Sequence, residues 1–116
     1  MDSKYFKQTE FECKCGCKSY IPNDLLIEVL TEVREHFGVP VIITSSTRCE
    51  QHNKNVGGSS NSQHKLGTAA DIIVKGIDTE EVYEYLNSIY PTSKGIGLYY
   101  DFVHIDVRDK KARWVY

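Results

Sequence analysis

Two histidines and two aspartates in the second half of the chain have the types and spacing to do chemistry. His64 and Asp71 stand seven positions apart across Gly67, and His104 follows with Asp101 three residues ahead of it. Two imidazoles and one carboxylate suit a catalytic zinc, which takes three protein ligands and keeps a fourth position open. The expected ligands are His64, Asp71 and His104, holding one Zn2+ per chain. Asp101, the carboxylate left over, is then free to handle the proton of an attacking water. A buried Asp–His pair without a metal would account for only two of these residues amid Ile, Val and Ala.

The elements around these residues must bring them together. Ala69 to Val74 has a strand pattern with Asp71 and Ile73 on one face, and Phe102 to Arg108 has another, with His104 on the face of Phe102 and Asp106. Asp71 and His104 can meet if the two strands are neighbours. His64 arrives from the polar stretch Ser45 to Gln63, and Gly67 permits the turn that folds it back. Asp101 and His104 would point to opposite faces of one regular strand, so Asp101 is expected in the turn after Tyr100 or at a bulge.

The remaining elements follow from periodicity and caps. A helix is expected from about Asn23 to Phe37, with Leu26, Val29, Leu30, Val33 and Phe37 inward and Gly38 just past its end. Asp78 and Glu81 form a capping box for a second helix running to about Tyr90, with Val82, Leu86 and Ile89 inward and Pro91 ending it. Thr9 and Glu12 suggest a single helical turn near the N-terminus, and Cys49 to Val56 a short helix. Val41 to Thr44, Gly95 to Tyr100 and Ala112 to Tyr116 complete the strand candidates. The expected fold is α+β, a small mainly antiparallel sheet with two main helices packed on it.

These residues also carry a resemblance. Ser62-x-His64-x-x-Gly67-x-Ala69-x-Asp71, followed by Asp101-x-x-His104, resembles the signature of the zinc D-alanyl-D-alanine carboxypeptidases. Relatives of these enzymes include vancomycin-resistance dipeptidases and peptidoglycan-cutting endolysins of bacteriophages. Thr44-Ser45-Ser46-Thr47-Arg48 is similar to the family's Ser-x-x-Arg element, and His52-Asn53 with Val56-Gly57-Gly58-Ser59 is similar to its small phage-type members. The similarity spans residues 20–108, and its specificity comes from the order and gaps of the elements together.

The resemblance implies a carboxypeptidase/hedgehog-like architecture, zinc at His64, Asp71 and His104, and Asp101 as general base. It implies that Arg48 holds the scissile carbonyl oxygen as negative charge develops there; a salt bridge anchoring the loop is the other reading of Arg48. Asp106 is a candidate partner for a ligand imidazole, and His52 either meets a substrate carboxylate or stabilises its loop. Ser62 organises the loop, since no nucleophile elbow surrounds it. The implied substrates are peptidoglycan stem peptides containing D-amino acids, and the expected role is that of a phage or prophage lysis enzyme. The alternatives are a cytoplasmic D,D-dipeptidase or carboxypeptidase on soluble substrates, and a zinc-retaining wall-binding module without catalysis.

Size and composition bound the rest. The chain has 116 residues, fitting a single domain over 1–116 with an N-terminal arm at 1–19. A net charge of −2 argues against nucleic acid as a partner. Arg108, Lys110, Lys111 and Arg113 are read as a solvated strand edge and turn. No stretch approaches the ~20 apolar residues of a membrane span, and Met1 to Lys7 lacks a secretory signal. The expectation is a monomer made in the cytoplasm that acts on the cell wall after release.

Four cysteines stand at Cys13, Cys15, Cys17 and Cys49. On a strand, the first three would share one face with neighbours ~7 Å apart, too far for a disulfide. Buried or free thiols, a long-range bridge to Cys49 and a second metal site are all open. No Cys shares a motif with a His, which argues against cysteine-protease chemistry.

Overall fold

The computed structural model describes residues 4–21, 23–60 and 62–116. Met1 to Ser3, part of the stretch read for a signal, lie outside the described residues.

Helix α1 runs Asp24–Phe37 and buries Leu26, Val29, Leu30 and Val33, one stripe at helical spacing. Asn23 caps it, its side-chain oxygen accepting from the Leu26 amide at 2.9 Å. Gly38 ends it in the left-handed region at φ 67°, donating its amide to Arg34. Helix α2 is the short segment Glu50–Asn55. Helix α3 spans Thr79–Ile89 and buries Val82 and Leu86. Ile89, expected inward, is 37% exposed as the last residue of α3. Asp78 stands at the N-cap of α3, but its side chain makes no capping hydrogen bond.

The N-terminal turn also shifts. It is a 3-10 turn over Gln8–Phe11, and the side chain that reaches back is Glu10, accepting from the Lys7 amide at 2.7 Å. The pair Thr9 and Glu12 is therefore not the capping box. Starting the turn earlier buries Phe11 in the core beside Phe6, their ring centroids 6.1 Å apart.

Five strands form one sheet: β1 Val41–Ser45, β2 Ala69–Val74, β3 Gly95–Leu98, β4 Val103–Asp106 and β5 Ala112–Val115, in the order β1-β2-β4-β3-β5. Three ladders are antiparallel and the fourth, β3 with β5, is parallel, so the sheet is mixed. The connectivity requires this. The chain reverses after β4, skips over β3 and lands on its far side, so β5 must run the way β3 does. The architecture is α+β with three helices, and it does not single out the hedgehog-like arrangement that was expected.

Alternation divides the sheet into two faces. Ala70, Ile72, Val74, Ile96, Val103 and Ile105 lie in the hydrophobic core with the buried stripes of α1 and α3. Asp71, His104 and Asp106 alternate with these residues and lie on the opposite face. Each buried aliphatic side chain contributes ~1.5–3 kcal/mol to holding that sheet. Among the described residues, no helix is long and apolar enough to cross a membrane.

Candidate metal centre

Register places the first two site residues. Asp71 on β2 pairs directly with His104 on β4. Directly opposed residues share a face of the sheet, and His104 Nδ1 lies 3.0 Å from Asp71 Oδ1. His64 comes from a 3-10 turn, Gln63–Leu66, that begins at the last residue of the polar stretch Ser45 to Gln63. Ser62 organises that turn, its hydroxyl accepting from the His64 amide at 3.2 Å. Gly67 ends it at φ 71°, where a Cβ would stand 2.5 Å from that of Ile21, so both backbone conformation and space require glycine. His64 Nε2 thereby reaches 3.1 Å from the same Asp71 Oδ1.

The outer nitrogens decide what the centre can hold. His64 Nδ1 lies 2.8 Å from the Ser46 carbonyl oxygen, and His104 Nε2 lies 2.8 Å from Asp106 Oδ2. A carbonyl and a carboxylate only accept, so each imidazole donates outward. When the rings are neutral, their inner nitrogens present lone pairs to Asp71, itself an acceptor. Three acceptors then converge with no donor among them, their ligand atoms all within 4.8 Å of one another. This donor set fits a cation, and two imidazoles with one carboxylate fit zinc. The outward hydrogen bonds orient both rings toward it.

Electrostatics follow from the same contacts. Burial alone would raise the Asp71 pKa, but hydrogen bonds and charge from His104 and His64 outweigh it and lower it to about 2. Burial would lower the His104 pKa, but hydrogen bonds to Asp106 and Asp71 raise it above its ordinary value. Asp106 is fully buried. Burial opposes its charge, yet hydrogen bonds from His104 and Arg108 hold it well below the usual carboxylate range.

The centre lies in a cleft of about 620 Å³. Arg48 lines it, with its Nη2 3.5 Å from Asp71 Oδ2 and its Nη1 donating to Asn53 at 3.3 Å. Both expected features of Arg48, a place in the cleft and an anchoring ion pair, therefore coexist. Ser62 also lines the cleft; His52, half-buried on α2, does not. Asp101 lies in the bend before β4, is exposed, and is not among the cleft-lining residues.

Several contributors escaped sequence reading. Arg108 donates to Asp106 through its backbone amide, Nε and Nη2, at 3.2, 2.7 and 2.8 Å. Its guanidinium sits over the Trp114 ring. Arg113 donates to the carbonyls of Tyr90, Ser93 and Lys94. Neither arginine belongs to the solvated edge expected of them; only Lys110 and Lys111 are exposed. The Trp114 indole donates to the Tyr99 hydroxyl at 3.0 Å and crosses β3 where that strand has no side chain. A Cβ at Gly97 would meet the indole at 2.3 Å, and one at Gly95 would meet Asp106 at 2.4 Å. Alternate glycines within a strand signal such close approach, and Gly95-Ile96-Gly97 was that signal. Asn53 is buried and holds Arg48 from α2 while its amide donates to Ser59.

Among known protein families, one described as Peptidase M15 matches residues 4–106. No curated protein matches the chain.

Proposed function

The chain belongs to the peptidase M15 family, and on that footing we propose that it hydrolyses peptidoglycan stem peptides containing D-amino acids, using zinc. Membership makes it a metallopeptidase. The observation that carries the zinc reading is the convergence of three acceptor atoms, from His64, Asp71 and His104, on the floor of the cleft. Zinc held there would supply Lewis acidity and lower the pKa of a water molecule.

The chain's own residues do the rest. Arg48 presents a fixed positive charge in the cleft, where it can stabilise negative charge developing on a carbonyl oxygen. Asn53 keeps that guanidinium in place. Tyr99, Phe102, Trp114 and Tyr116 form an aromatic wall along which a peptide can lie. Asp71 is the sole carboxylate among the described cleft-lining residues, and as a ligand it is not free to move a proton. Asp101 is the proposed base. Its loop, between cleft residues Tyr99 and Phe102, must turn the carboxylate inward when substrate binds, as catalytic contacts often tighten only in the complex.

We propose a role in phage or prophage lysis, on the similarity of His52-Asn53 and Val56-Gly57-Gly58-Ser59 to the small phage-type members. Incubation with purified peptidoglycan followed by mass spectrometry of released fragments tests this. Muropeptides cut at a D-amino-acid bond are the expected result. Free D-alanine released from soluble peptides, with no loss of wall turbidity, would place the activity on soluble substrates instead. The exposed position of Asp101 favours a second reading, a zinc-retaining wall-binding module. Sedimentation of the chain with intact peptidoglycan, without any released fragment, would establish that reading.

A further inference from the structure

Separate from the imidazole site, the four cysteines form a second cluster, and from its geometry we propose a structural zinc held by Cys13, Cys15, Cys17 and Cys49. The first three cysteines do not lie on a strand. The chain turns tightly from Lys14 to Cys17, with Gly16 at φ 96° and Lys18 at φ 62°. This brings three sulfurs toward one another, that of Cys13 buried and those of Cys15 and Cys17 at the surface, and Cys49, at the N-cap of α2, supplies the fourth. All four Sγ atoms lie within 4.8 Å of one another.

Distances select the occupant. Tetrahedral zinc with Zn–S bonds of ~2.3 Å sets its sulfurs ~3.8 Å apart. Cys13 Sγ lies 3.5 Å from Cys15 Sγ, and Cys15 Sγ lies 3.7 Å from Cys49 Sγ. A disulfide would need its two sulfurs at ~2.05 Å, whereas all four thiols are free and mutually close. Backbone amides also point at the sulfurs: Cys49 N lies 3.4 Å from Cys13 Sγ, and His52 N lies 3.3 Å from Cys49 Sγ. Such N–H donors suit thiolates, whose negative charge they share. Closed four-cysteine coordination is structural, with no position left for substrate.

The consequence is mechanical. Cys49 directly follows Arg48, and the arm already touches this segment where the Thr47 amide donates to the Phe11 carbonyl at 3.0 Å. Zinc at the thiolates pins the N-terminal arm to the segment that presents Arg48 to the cleft. Binding releases the thiol protons to solvent, so loading strengthens as pH rises.

Zinc content separates the two centres. The full chain purified under reducing conditions should carry two zinc ions, and His64→Ala should lose one while keeping the other. Exchange for cobalt should add an intense sulfur-to-metal charge-transfer band, which an imidazole–carboxylate site cannot produce. Cys15→Ser should weaken that band and lose one zinc while leaving the other centre filled. If Cys15→Ser does not fold, thiol alkylation of the unaltered chain decides: zinc should protect all four cysteines and a chelator should expose them. Four thiols that react equally fast with and without zinc would overturn the proposal. So would a disulfide surviving reductant, or bound iron in place of zinc.

Discussion

Replacing Asp106 by Asn tests whether an acceptor buried behind His104 sets the metal-binding tautomer. Asp106 Oδ1 accepts from Arg108 N and Nε, and Oδ2 accepts from Arg108 Nη2 and His104 Nε2. An amide has one oxygen for these two stations. Keeping oxygen at Oδ1 places an NH2 group against His104 Nε2 and Arg108 Nη2, both of which donate. The ring then relieves the clash by moving its proton to Nδ1, the nitrogen that must ligate. Loss of such a supporting acceptor lowers metal affinity ~10–100-fold, which is ~1.4–2.8 kcal/mol. The mismatched buried amide should also cost the metal-free fold ~1–3 kcal/mol. Zinc-buffered titration measures the affinity, with cobalt ligand-field bands separating this centre from the thiolate one, and thermal unfolding of chelated protein measures stability. Zinc affinity within threefold of the unaltered chain, in a folded variant, would refute the tautomer argument.

Asp101→Asn should reduce turnover ~10²–10⁴-fold while zinc content and the folded spectrum stay unchanged; normal turnover would remove Asp101 as the base. Arg48→Ala should slow turnover ~10²-fold or more in a chain that stays folded and keeps zinc, whereas unfolding would leave only its anchoring role. In the chelated protein, the lowered Asp71 pKa of about 2 against an ordinary 3.8 should contribute about 2 kcal/mol of stability, present above pH ~4 and lost as pH falls toward 2. The raised His104 pKa acts in the other direction: its stability is full below pH ~6.5 and fades as pH climbs through the raised value. Denaturant midpoints across pH should therefore peak between these limits, and zinc affinity should rise with pH over the range in which His104 sheds its proton. Gly97→Ala should displace the indole that a Cβ would meet at 2.3 Å and cost ~1–3 kcal/mol. Trp114 is the single tryptophan, so its fluorescence reports that displacement directly.

The pairing of Asp71 with His104 was legible because strand alternation is a local rule, and each residue's face could be read from its neighbours. The α1 stripe and its Gly38 end were legible for the same reason. Other features depended on contacts between segments far apart in sequence. Cys13 to Cys17 alternates like a strand, yet the segment curls toward Cys49, a partner 32 residues beyond Cys17.

Arg108 looked like a surface charge although its acceptor, Asp106, stands only two residues before it, because Asp106 was read as a partner for an imidazole alone. Arg113 looked so because the carbonyls that accept from it, those of Tyr90, Ser93 and Lys94, come within reach only when β5 docks against β3. Residue types and short spacings thus determined which groups could serve a metal and which faces they occupy. Tertiary structure determined what surrounds them: the indole across Gly97, the carbonyls that hold Arg113 and the exposed bend that carries Asp101. Periodicity repeats within a few residues, whereas docking depends on the burial that each long-range arrangement achieves, and only the folded chain selects one arrangement.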